Sequence, residues 1–263
     1  MNKLVAILPF NLDHTSHAGQ SQLDDPIEAL ARTVYSSSAL NNEFYDLWTS
    51  RPLVAVQIAV FARNYGEFNR AFPEVLSVMI SSTRNVYART EYAKTLYSEM
   101  GYGVVEKAHS NLFDSWLFEL GKKLGEPEML SWKTIERNIT PLPETYALIE
   151  GEKSMYGSDN ATGSGAQLAL EWQAYTMLRK MYDGAVQYKH LWVIEDEFHE
   201  ACEYFYAHIG AAEKEHKIES LNGARQFYID ANSWLRIQNG FHQHIELFGV
   251  FWNAIAKEMQ RVV

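Results

Sequence analysis

Cysteine is almost missing from this chain. Cys202 stands alone among 263 residues, so no disulfide can close within the chain, and a reducing compartment, the cytoplasm, is the expectation. Proline is scarce in one region: its seven copies end at Pro143, so nothing in 144–263 interrupts long helices. Runs of Lys or Arg are lacking. With a formal charge of -10 and a pI near 5.4, the chain has no basic stripe for phosphates, and no nucleic-acid partner is expected. Long apolar runs are missing as well. The stretch Pro52 to Ala62 is short of the roughly 20 residues that span a bilayer. Leu4 to Phe10, behind one lysine, is weak as a secretory signal. No membrane partner is expected. Finally, no alternation of apolar and polar residues marks a strand, and there is no internal repeat or low-complexity tract. The class is all-α.

What is present is an apolar, aromatic chain, 47% hydrophobic and 13% aromatic, long enough for one well-filled domain. Residues 1–24 form a polar lead-in. Asp24-Asp25-Pro26-Ile-Glu28 reads as a helix N-cap with proline in the first turn, so the folded domain is expected over 25–263. From Pro52, the spacing of Val56, Val60, Tyr65, Phe68 and Phe72 predicts a long helix that Pro73 kinks or ends. Gly101 and Gly103 break the next helical stretch, and Gly125, Pro127, Pro141 and Pro143 bracket a short helix over 129–137. Three long helices follow, over roughly 162–190, 193–217 and 221–260. These add up to a bundle of about seven or more helices, an architecture that builds metal and cofactor sites between facing helices.

Carboxylates and imidazoles recur where such a site would need them. Glu99 and His109 flank the glycine-broken junction. Glu171 sits among apolar or small neighbours, where an ionised carboxylate is costly without a partner; the competing reading is a solvated face marked by Gln167 and Arg179. Glu213 and His216, three apart, share a helix face. His208 lies eight before His216, about 80° away on a regular helix, an error that one π-bulge would largely remove. Glu106, three before His109, is an alternative carboxylate ranked behind Glu99. A lone histidine is more often a surface or hydrogen-bonded residue than a ligand, so the argument rests on the set, which suits non-haem iron or manganese.

On these residues the chain resembles the haem-oxygenase-like diiron oxidases and oxygenases and their CADD-like relatives. Leu96-Tyr-Ser-Glu-Met-Gly-Tyr-Gly103 is similar to that family's Leu-Tyr-x-Glu-x-Gly-x-Gly segment, with a histidine ten residues beyond the glutamate. Pro52 to Ile80, with Tyr65, Phe68 and Phe72-Pro73, resembles its second long helix. The resemblance implies a haem-oxygenase-like helical bundle holding two Fe(II) per chain, with Glu99 and His109 on one iron and Glu171 bridging. His208, Glu213 and His216 stand for a final motif normally spaced His, three residues, Asp or Glu, two residues, His. Here Ile209 occupies the first position and His208 is one residue early, which puts the second metal position in question. The implied function is an O2-activating oxidase or oxygenase, with O2 as co-substrate and a small organic molecule of the amino-acid or fatty-acid class as substrate.

Two other functions compete. One is a metal-free enzyme on the same fold, resembling the thiaminase-like or pyrroloquinoline-quinone-synthase-like branch, with Cys202 as nucleophile; the surrounding Glu200 and Glu203 argue against it by raising a thiol pKa. The other is a non-enzymatic, CADD-like binding protein in which the charged positions are surface groups. Haem degradation is least favoured, because His14 and His17 fall in the lead-in. Tyr97, Tyr102, Trp172 and Tyr175 flank the proposed ligands and read as core packing. Phe227, Trp234, Phe241, Phe248, Phe251 and Trp252 mark the last helix either as part of a homodimer interface or as a central core helix.

Overall fold

The computed structural model describes residues 25–262 apart from residue 210, and the side chains of 211–214 also lie outside the description. The lead-in over 1–24, with His14 and His17, and the side chain of Glu213 therefore fall outside the described residues. Among those described there is no strand. Twelve α-helices follow one another: α1 (Pro26–Arg32), α2 (Glu43–Ser50), α3 (Ala55–Ser82), α4 (Val86–Glu99), α5 (His109–Leu124), α6 (Trp132–Asn138), α7 (Pro143–Gly157), α8 (Asn160–Val186), α9 (Glu195–Ala201), α10 (Glu203–Ile209), α11 (Ala211–Arg225) and α12 (Ala231–Arg261).

Local chemistry explains most of the boundaries. Asp25 accepts from the Ile27 amide at 3.0 Å with Pro26 in the first turn, and Asn42, Asn85, Asp159 and Asp230 cap α2, α4, α8 and α12 in the same way. Gly125 ends α5 in the left-handed region at φ 77°. Pro73 neither ends nor replaces α3. The helix runs through it because Phe68, Phe72, Val75, Leu76 and Met79 are buried on either side, and that burial outweighs one missing amide bond. The long helix anticipated over 193–217 is broken at Cys202, between α9 and α10, where no glycine or proline marks the sequence.

The aromatic residues of α12 settle inside the chain. Phe241, Phe248, Phe251 and Trp252 are fully buried, as a central core helix requires. Phe44 of α2 stacks on Trp252 with centroids 4.5 Å apart, and Tyr65 of α3 stacks on the same indole at 5.8 Å. Helices α8 and α12 approach most closely at Gly165 and Gly240, where an added Cβ would strike the backbone of Ile237 and Thr162. This pair, crossed by α3 and α7 and edged by α4, α10 and α11, fixes the frame in which the polar residues described next are held.

Candidate metal centre

Glu99 is the last residue of α4 and His109 the first of α5, and a tight reversal joins them. Gly101, Tyr102 and Gly103 all lie in the left-handed region, at φ 65°, 56° and 84°. Glycine is required at 101, where a Cβ would strike the backbone of Lys107 and Ala108. Tyr102 bears the strain of a non-glycine residue there, its hydroxyl accepting from Ser98 Oγ at 3.0 Å. The reversal turns both side chains inward. His109 Nδ1 stands 2.8 Å from Glu99 Oε2, with both groups buried.

His208 completes the set from α10. Its Nδ1 lies 2.7 Å from the Tyr204 carbonyl one turn earlier, so that nitrogen carries the proton and Nε2 is left as a lone-pair donor. Its ring centroid is 4.0 Å from that of His109. One ligand atom each from Glu99, His109 and His208 lies within 4.8 Å of the others. Around a six-coordinate ion with bonds of about 2.1 Å, neighbouring donors stand about 3 Å apart and opposite ones about 4.2 Å. This buried carboxylate–imidazole set is therefore close to the dimensions of a first-row metal site, and its chemistry suits iron. The one-residue offset of His208 does not keep it from the cluster. His208 lies with Glu99 and His109 despite that spacing.

A second pair lies alongside. Glu171 of α8 is 3% exposed, with Oε2 at 3.6 Å from Nδ1 of His216 on α11. Gln167, anticipated as part of a solvated stripe, is itself buried: its Nε2 donates to Glu171 Oε1 at 2.5 Å while its Oε1 accepts from the Tyr156 hydroxyl at 2.6 Å. The face is interior, and the amide holds one carboxylate oxygen. Glu106 is exposed on the turn before α5 and takes no part. Tyr97 and Tyr102 are not core: each is more than half exposed, and they pack edge to face at 5.5 Å. Cys202 is fully buried, and that burial pushes its thiol up to about 12, leaving no nucleophilic thiolate. The buried Glu99 and Glu171 are likewise not the surface groups that a plain binding protein would show.

Electrostatics divides the labour. Burial works against the charge on Glu99, but the imidazole of His109, helped by His208 and His216, more than offsets it and holds the carboxyl at about 2. Burial similarly works against a charged His109, which the Glu99 carboxylate reverses, raising it. For His208 burial wins, reinforced by His109, and the imidazole is held down at about 3; burial lowers His216 as well. Neutral His208 and His216 and ionised Glu99 are in the protonation states a cation needs, whereas His109, raised by Glu99, gives up its proton when an ion enters.

Two cavities meet at this cluster. The inner one, about 40 Å³, is walled by Tyr65, Phe68, Phe72, Leu170, Met177 and Leu178, together with Glu99, Glu171 and His208. The outer one, about 270 Å³, is bounded by Arg70, Pro73, Met100, His109 and Ser110. Asn69 and Glu99 line both. Asn69 was not singled out in the sequence, since one asparagine in an aromatic helix carries no periodic signal.

The family model described as iron-containing redox enzyme matches residues 59–248. The chain belongs to that family. The matched span runs from α3 through Phe248 of α12 and takes in every candidate ligand. Its fold is similar to a CADD-like protein of unknown function from Nostoc punctiforme, with a TM-score of 0.68 at 17% identity over 90% of this chain and 97% of that one. It is also similar to a domain of unknown function with a heme oxygenase-like fold from Shewanella denitrificans, with a TM-score of 0.62 at 11% identity over 92% and 93%. The haem-oxygenase-like bundle anticipated from the sequence is thus the fold observed. A search of curated proteins finds no match.

Proposed function

We propose that this member of the iron-containing redox enzyme family is a non-haem diiron oxidase or oxygenase acting with O2 on a small organic substrate of the amino-acid or fatty-acid class. The observation that carries the reading is the buried convergence of Glu99, His109 and His208, with His208 fixed so that Nε2 faces inward. Those three side chains would hold one Fe(II). Glu171 and His216, with Glu213 from α11, would hold the second. The chemistry that iron supplies when bound is the binding and reduction of O2.

The chain's own part is positioning and exclusion. Tyr204, through its carbonyl, keeps His208 in the tautomer that leaves Nε2 free. Gln167, braced by Tyr156, donates to Glu171 and holds that side chain in one rotamer. Phe68, Phe72, Leu170, Met177 and Leu178 keep bulk water from the inner cavity, whose 40 Å³ is room for about three waters or one dioxygen. The larger outer cavity suits the organic substrate. A cytoplasmic location and a homodimer belong to the same reading. No described helix is long and apolar enough to cross a membrane.

The test is anaerobic Fe(II) titration of metal-free protein followed by exposure to O2. Uptake near two irons per chain and a transient visible band are expected, both lost in the double variant Glu171→Ala/His216→Ala. Equal, non-specific uptake by parent and variant would sink the reading.

A further inference from the structure

Helix α3 buries two asparagines five residues apart and treats them oppositely. Asn64 is satisfied throughout: Nδ2 donates to the Val60 carbonyl at 2.8 Å, and Oδ1 accepts from the Leu142 amide at 2.8 Å and from Thr145 Oγ1 at 2.6 Å. It ties α3 to the start of α7. Asn69 is 6% exposed, yet its Nδ2 has no hydrogen-bond partner. An i−4 bond like that of Asn64, onto the Tyr65 carbonyl, is not made. Pro73 adds to the local deficit, because it has no N–H to offer the backbone carbonyl of residue 69. Native interiors seldom leave such a donor unpaired; of those that are unpaired among the described residues, Trp172 Nε1 and Trp252 Nε1 included, Asn69 Nδ2 is the one whose residue lines both cavities beside Glu99.

The place of this amide says which ligand. Asn69 shares with Glu99 the wall common to the two cavities, and His109 lines the outer one and His208 the inner. A hydrogen-bond acceptor bound beside Glu99 would meet an amide already stripped of water and of protein partners. We propose that Asn69 is a ligand-orienting residue of the metal centre, its side-chain N–H2 donating to an anionic or carbonyl-type acceptor atom bound next to Glu99. This rests on the metal reading above. The acceptor class covers a substrate carboxylate or carbonyl and small anions, and excludes a purely hydrocarbon group at that position.

Azide is the probe, read on Co(II)-loaded protein through its visible ligand-field bands. Parent protein binds Co(II), and azide perturbs the bands saturably. In Asn69→Leu, Co(II) affinity is unchanged, azide affinity falls about tenfold or more, and the melting temperature of the metal-free protein rises because an unpaired buried donor is gone. In Asn69→Asp, which keeps the shape but removes the donor and adds a negative charge, azide affinity falls further. Equal azide affinity in parent and Asn69→Leu overturns the proposal. So does a lowered melting temperature in Asn69→Leu, which would make the amide a support of the fold, and so does a Co(II)-loaded parent that fails to bind azide. Failure of the parent to bind Co(II) at all removes the metal reading itself, a separate and recognisable result.

Discussion

The described residues contain three buried glutamate–histidine pairs, and two of them, Glu99–His109 and Glu152–His244, differ in almost everything except composition. Glu99 and His109 lie 2.8 Å apart, are joined by a ten-residue reversal, have a third donor in His208 and border two cavities. Glu152 of α7 and His244 of α12 lie 3.0 Å apart at 0% exposure, with Gln173 Nε2 of α8 at 3.0 Å from the far ring nitrogen. The Glu152–His244 pair is in close contact without hydrogen-bond alignment, both Glu152 oxygens and His244 Nδ1 lacking a hydrogen bond, and neither cavity reaches it. One pair has room and a spare donor; the other is shut among three helices. The same two side chains make a centre that can hold an ion or a strut in the core, and access decides which.

Breaking the core pair should give the largest effect. His244→Ala leaves a fully buried carboxylate without its partner and should cost about 3–5 kcal/mol in urea unfolding of metal-free protein, with metal uptake per folded chain unchanged. His109→Ala should do the reverse, weakening Co(II) binding more than about 100-fold for a smaller loss of stability. If the two variants behave alike, the distinction between site and strut fails. A smaller change, Gly101→Ala, should cost about 1–2 kcal/mol for the left-handed backbone alone, with the contact to Lys107 and Ala108 added. Because it shifts His109 relative to Glu99, it should also weaken metal binding, whereas Gly240→Ala, at the α8–α12 crossing, should destabilise without touching it.

The smallest effect is in pH. With its folded pKa held at about 3 against a usual 6.5, His208 takes up its proton in the unfolded chain first, so its contribution to stability is present above about 6.5 and is lost as pH falls towards 3. Glu99, held at about 2, adds its own loss only below about 4.5. Chelated protein should therefore melt lower at pH 5 than at pH 7, by less than His208 alone would give because the raised His109 works in the opposite sense, and His208→Asn should flatten that slope. An unchanged slope in the variant would place the titration elsewhere.

Much of this was legible in the sequence where the signal is local. Gly101 and Gly103 announced the reversal, and with it the meeting of Glu99 and His109. The cap at Asp25 is written in adjacent residues, as is the apolar period of α3. What escaped depends on partners remote in sequence or on breaks without punctuation. The gap between α9 and α10 has no proline or glycine, so the break at Cys202 could not be read in advance. Gln167 resembled a surface residue because nothing local shows that Tyr156 and Glu171 enclose it. Glu152 and His244 lie far apart in sequence, and the closure that makes them a pair belongs to the packing of α7, α8 and α12.

The reversal between α4 and α5 also sets an order in time. Glu99 and His109 are separated by ten positions, and once their helices exist such a loop closes in about 10–100 ns. His208 is made nearly a hundred residues later, about 5–20 seconds at ordinary rates of translation. During synthesis the chain therefore carries a two-donor half-site, too poor in ligands to hold an ion firmly. Retention of a metal waits for α10, so the choice of ion is made by the nearly finished bundle and not by the nascent segment that first presents the donors.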